Sequence, residues 1–90
     1  MQKYLVVIEK ADFNYAAFSP DVPGCITTGE TIDETLKNMH EALELYLEET
    51  DVFPDSRGLS FYVKEGLLDT NKISEEYLIS SIEVPLPAVV

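Results

Sequence analysis

Apolar and polar positions change their spacing several times along this 90-residue chain, and each change marks an element. Tyr4, Leu5, Val6, Val7 and Ile8 form an unbroken apolar run. Such a run predicts a strand covered on both faces, or a central one. After a short turn at Ala11-Asp12, residues 13–19 alternate. Phe13, Tyr15 and Ala17 fall on one face, and Asn14, Ala16 and Phe18 on the other. The two segments read as a hairpin. Pairing must break at Pro20-Asp21-Val22-Pro23-Gly24, because two prolines remove donors and Gly24 permits unusual dihedrals. Residues 25–28 then predict a short third strand, closed by Gly29.

The period next shifts to that of a helix. Ile32, Leu36, Met39, Leu43, Tyr46 and Leu47 follow steps that describe one helical stripe. Thr31 and Glu34 have the spacing of a capping box, in which the hydroxyl accepts from the Glu34 amide and the carboxylate reaches back. Asp33 and Glu34 suit the positive end of the helix dipole. The spacing predicts a helix over residues 31–50. Glu48, Glu49 and Asp51 oppose the dipole at the far end and predict a frayed last turn. Pro54 stops it. Residues 55–76 read as an irregular insertion with one short helix; residues 59–63 fit a strand or a helix start. From Tyr77 the period is two: Leu78, Ser80, Ile82 and Val84 alternate with Ile79, Ser81 and Glu83, until Pro85 and Pro87.

The order is β-β-β-α-β, an α+β fold in one domain over residues 1–90. In a meander, strands one and three run the same way. The helix after strand three returns the chain, so the last strand is expected to run parallel to both; a right-handed crossover places it beside strand one, with the helix packed on one face of the sheet.

Charge narrows the partners. Six basic side chains stand against 17 acidic ones, a formal net charge of −11. Phosphate backbones and anionic membrane surfaces would repel such a chain, so no direct nucleic acid and no membrane are expected. A basic protein is the natural partner. A chain this short buries only about 60 to 65% of its unfolded surface, which favours a homo-oligomer. No apolar run approaches the ~18 residues of a membrane span. The N-terminal run is too short for a signal-peptide core. With the single cysteine this indicates a cytoplasmic protein.

No residue pattern calls for catalysis, a metal or a cofactor. A metal-dependent nuclease of RNase H type needs an acid in the middle of strand one, and none precedes Glu9. His40 lies beside the apolar stripe of the helix, has no Cys or second His at ligand spacing, and reads as a residue at the boundary of that stripe. Cys25 has no neighbouring base and reads as a small buried residue. The tyrosines lack interleaved Lys and Arg, which favours core and interface roles over base stacking. Two features remain for binding. Glu41, Glu44 and Glu48 share one side of the helix, as a solvated face or a docking face for a basic partner. Pro20, Asp21, Val22 and Pro23 form a rigid turn or a contact loop.

The stretch from Phe18 through Pro20-Asp21-Val22-Pro23-Gly24 to Cys25 is followed by Thr28-Gly29-Glu30-Thr31. With Asn38, Glu41-Ala42 and the closing Ile82-Glu83-Val84-Pro85-Leu86-Pro87, it resembles the HicB-like antitoxin family. The resemblance implies a partial RNase H-like fold of β-β-β-α-β order. It implies an antitoxin that binds and masks a small basic RNA-cleaving toxin of HicA-like kind, with no enzymatic activity of its own. Many family members carry a further DNA-binding module; nothing follows Val90 here, and operator binding is not expected. The alternative is a stand-alone oligomeric protein- or ligand-binding module with no toxin partner.

Overall fold

The computed structural model describes residues 2–50, 53–73 and 76–85. Its elements are β1 (Gln2–Lys10), β2 (Tyr15–Phe18), β3 (Ile26–Gly29), α1 (Ile32–Glu48), α2 (Leu59–Lys64) and β4 (Tyr77–Val84). The four strands form one sheet in the order β3-β2-β1-β4. Asp51, Val52 and Pro87, invoked above for the helix and strand ends, lie outside the described residues.

Strand β1 is central and covered on both faces, which accounts for its unbroken apolar run. Tyr4, Val6 and Ile8 face α1 and pack with Met39, Leu43, Leu47, Ala17, Val22, Cys25 and Val84. Leu5 and Val7 point the other way and pack with Tyr62 and Leu68. Each odd–even alternation thus feeds a different core.

The expected parallel last strand is overturned. Every pairing in the sheet is antiparallel, including β1 with β4, where Val6 lies opposite Ser80 and Tyr4 opposite Ile82. The reason is α2. A helix after β3 returns the chain once, but α2 and its flanking turns cross the opposite face before β4 begins. That extra traverse reverses the strand's direction.

Smaller differences have local causes. The second strand starts at Tyr15, leaving Phe13 95% exposed. Helix α1 begins as expected: Thr31 caps it, and its hydroxyl accepts from the Glu34 amide at 3.0 Å. Thr35, not Tyr46, completes the buried stripe with Met39, Leu43 and Leu47. Its hydroxyl donates to the Thr31 carbonyl, so burial leaves no unmet polar group there. Gly29 is required for this approach. A Cβ at Gly29 would lie 2.7 Å from the Thr35 amide nitrogen, inside backbone that cannot yield. No helix among the described residues is long and apolar enough to cross a membrane.

Candidate protein-binding surface

The loop between β2 and β3 is built from two overlapping turns. The Val22 amide donates to the Ser19 carbonyl and the Cys25 amide to the Val22 carbonyl. Pro20 and Pro23 each occupy the second position of a turn, where a fixed φ helps and no donor is missed. Gly24 follows Pro23 with φ +89°, as a type II turn requires.

Asp21 anchors this loop from beneath. It is 5% exposed. Its carboxylate accepts from the Leu5 amide at 2.8 Å, from the Arg57 amide at 2.9 Å and from the Tyr62 hydroxyl. Leu5 lies past the point where β2 stops pairing with β1, so the carboxylate takes the place of a missing strand carbonyl. The other two bonds tie down the segment before α2 and α2 itself. Burial, then the Asp21 hydrogen bond and charge, push the Tyr62 hydroxyl pKa well above its ordinary value. Val22 is fully buried in the α1-side core.

The predicted contact residues therefore divide. Asp21 and Val22 point inward, while Pro20 and Pro23 border an apolar groove of about 510 Å³. Phe18, Cys25, Ile26, Tyr62, Leu67 and Leu68 also line it. The register explains why it exists. Ile26 lies opposite Phe18, and Phe18 opposite Val7, so these side chains form one row on the α2 face. Helix α2 covers Val7 but stops short of the edge strand. Ile26 is left 66% exposed and Leu67 68% exposed. Ser19, which also lines the groove, has a buried hydroxyl with no hydrogen-bond partner among the described residues. Such a group costs about 1–3 kcal/mol until something pairs with it.

The acidic residues lie elsewhere. Glu41, Glu44 and Glu48 are all exposed on α1. Glu44 and Glu48 line a depression with Val84 and Pro85, beside β4 and at the opposite sheet edge from β3. The loop and the acidic stripe are thus not one patch. His40 forms an i,i+4 pair with Glu44, Nε2 to Oε1 3.0 Å, with both side chains about half exposed. Cys25 is 5% exposed, and burial raises its thiol pKa, which suppresses the thiolate a nucleophile would need. Among the described residues no group of three or more His, Cys, Asp or Glu could hold a metal ion.

The reading missed Ile26, Leu67 and Ser19. Their signal is weak in one dimension: an apolar residue at a strand start and a Leu-Leu pair after Gly66 look like ordinary core. Only the short reach of α2 exposes them.

A comparison of families decides the wider assignment. The HicB-like antitoxin of bacterial toxin–antitoxin systems matches residues 4–78. The chain belongs to the HicB-like antitoxin family. Among its relatives is a 14.9 kDa protein of the rep-hol intergenic region of Haemophilus phage HP1, 33% identical over 66 residues. That match covers 69% of this chain and 50% of the phage protein. A UPF0150 protein of Helicobacter pylori is 49% identical over 41 residues, covering 46% of this chain and 57% of that one. The chain thus spans about half the length of the curated relatives it matches. Two solved structures share the fold. One is a HicA3 and HicB3 toxin–antitoxin complex, with TM-score 0.68, 23% identity, and coverage of 94% of this chain and 100% of that one. The other is the Burkholderia pseudomallei antitoxin HicB, with TM-score 0.73, 24% identity, and coverage of 100% of this chain and 71% of that one.

Proposed function

We propose that this chain is the antitoxin half of a toxin–antitoxin pair. It acts in the cytoplasm by binding and covering a small, basic, RNA-cleaving toxin of HicA-like kind, and catalyses nothing itself. The observation that carries the reading is the family match over residues 4–78. The net charge of −11 supports it, since opposite fields speed encounter between the two proteins. The likeness in fold to a chain found in a HicA3–HicB3 complex agrees with it.

The surfaces divide the work. The exposed carboxylates of Glu41, Glu44 and Glu48 attract a cationic protein, and their contribution weakens as salt rises. The groove between Pro20, Pro23, Ile26 and Leu67 supplies the apolar anchor that steering alone cannot. A partner side chain seated there also meets the Ser19 hydroxyl. Asp21 and Val22 shape the loop and hold it rigid, so little ordering entropy is lost on binding.

The test is co-expression with any basic reading frame beside the gene. Growth arrest by that frame alone, relieved by this chain, with both proteins purifying together, is the expected result. A neighbour that neither binds nor arrests growth would point to the stand-alone module. RNA cleavage by this chain alone would overturn the proposal.

A further inference from the structure

Strand β3 is an edge of the sheet, and the turn before β2 fixes which of its backbone groups face outward. The Ala11 amide donates to the Asn14 carbonyl, so Glu9–Ala16 and Val7–Phe18 are hydrogen-bonded pairs of β1 with β2. Tyr15 and Ala17 therefore turn their backbone groups to β3, where they meet Gly29 and Thr27. The amides and carbonyls of Ile26 and Thr28 are left pointing away from the sheet. The Asn38 side chain donates to the Thr28 carbonyl at 2.9 Å. The Ile26 amide and carbonyl have no hydrogen-bond partner among the described residues.

Both faces beside this open position are hollow and apolar. On the α2 face lies the groove that Ile26 shares with Phe18 and Leu67. On the α1 face a second hollow, of about 360 Å³, lies between Ile26, Ala42, Leu45 and Tyr46. Asn38, Ala42, Leu45 and Tyr46 share the flank of α1 that overhangs β3. Leu45 is 64% exposed and Tyr46 43%. Gly24, Cys25 and Ile26 line both hollows, so one short stretch of edge backbone separates them.

We propose that an extended segment of the basic partner adds to β3 as a further strand, hydrogen-bonded to Ile26, with successive side chains in the two hollows. Geometry selects a strand. Side chains of an extended chain alternate between the two faces of a sheet, so it fills hollows on both sides of one edge residue, whereas a helix fills one. Charge selects a cationic occupant over a second copy. No base lines either hollow, Glu49 rims the α1-side one, and two copies at −11 each repel. The inference rests on the reading that this chain covers a basic protein. It adds the mode of contact, backbone pairing at Ile26, and a second wall, Leu45 and Tyr46.

The probe is a basic protein encoded beside the gene, identified by the co-expression test. Leu67→Glu and Leu45→Glu should each weaken its binding roughly tenfold or more. Leu45→Glu adds a carboxylate that charge steering rewards, so a loss there reports the lost wall. Ile26→Pro should weaken binding roughly tenfold beyond Ile26→Ala. Both shorten the side chain, and only proline removes the outward amide, at a position where an edge strand tolerates it. In the complex, exchange of the Ile26 amide, followed by nuclear magnetic resonance, should slow roughly tenfold or more. That readout decides if Ile26→Pro fails to fold. Binding weakened by Leu67→Glu and untouched by Leu45→Glu, with Ile26 exchange unchanged, overturns the added strand and leaves the toxin reading standing. No binding by the intact chain overturns both. Protection of the Ile26 amide in the free chain that fades on dilution puts a second copy on this edge and overturns the proposal.

Discussion

The two faces of the sheet are held by different physics. On one, α1 lays 17 residues across the strands, and Tyr4, Val6, Ile8, Met39, Leu43 and Leu47 close an apolar core. On the other, α2 has six residues, and its buried core is Leu5, Val7, Tyr62 and Leu68. There a polar latch supplements the small apolar area: one carboxylate, Asp21, joins β1, the segment before α2, and α2. A thick face can be closed by area alone. A thin face needs directional bonds, and it leaves part of the sheet bare. The bare part is the groove at Ile26.

The comparison can be broken from its strong side first. Leu43→Ala on the thick face should cost about 2–5 kcal/mol by urea denaturation, from lost transfer energy and the cavity left behind. A loss below about 1 kcal/mol would mean that α1 is not the main stabiliser. On the thin face, Asp21→Ala leaves three donors without their acceptor and should cost about 2–3 kcal/mol. Hydrogen exchange should quicken in α2 more than in α1. Equal loosening of both helices would show that the latch is not local.

Tyr62→Phe should cost about 1–1.5 kcal/mol. It also sharpens the pH behaviour. The folded-state pKa of Tyr62 is raised above its ordinary 10.0 by burial first and the Asp21 bond second. A raised folded value means that the stabilisation is complete below pH 10 and is lost as pH rises above it. The denaturation midpoint should therefore fall in alkali, and Tyr62→Phe should flatten part of that fall. The remainder belongs to Tyr4, also raised chiefly by burial, whose hydroxyl donates to the Pro54 carbonyl, and to the Cys25 thiol, raised by burial as well. An unchanged alkaline limb in Tyr62→Phe would contradict the latch. The smallest effect is Thr31→Ala, about 1 kcal/mol from loss of the α1 cap.

The thick face was legible in the sequence and the thin one was not. The unbroken run at Tyr4–Ile8 announced burial on both sides, and the Thr31–Glu34 spacing located the start of α1. Those signals are local. Helix α2 is too short for periodicity to separate helix from strand, so its traverse of the sheet went uncounted and the last strand was expected to run the wrong way. Asp21 reads as a surface acid in a turn. Its burial depends on donors 16, 36 and 41 residues away, which no local pattern reveals. Ile26 and Leu67 carry no mark of exposure, because their exposure is set by where α2 ends.

The central claim is that this anionic chain covers a basic protein, anchored through the thin face. Calorimetric titration of a basic protein encoded beside the gene, identified by the co-expression test, with the intact chain and with Ile26→Glu/Leu67→Glu tests it most directly. Tight binding by the intact chain, lost in the double variant while its folding is unchanged, is the predicted result. Equal binding by both chains, or none by either, would contradict it.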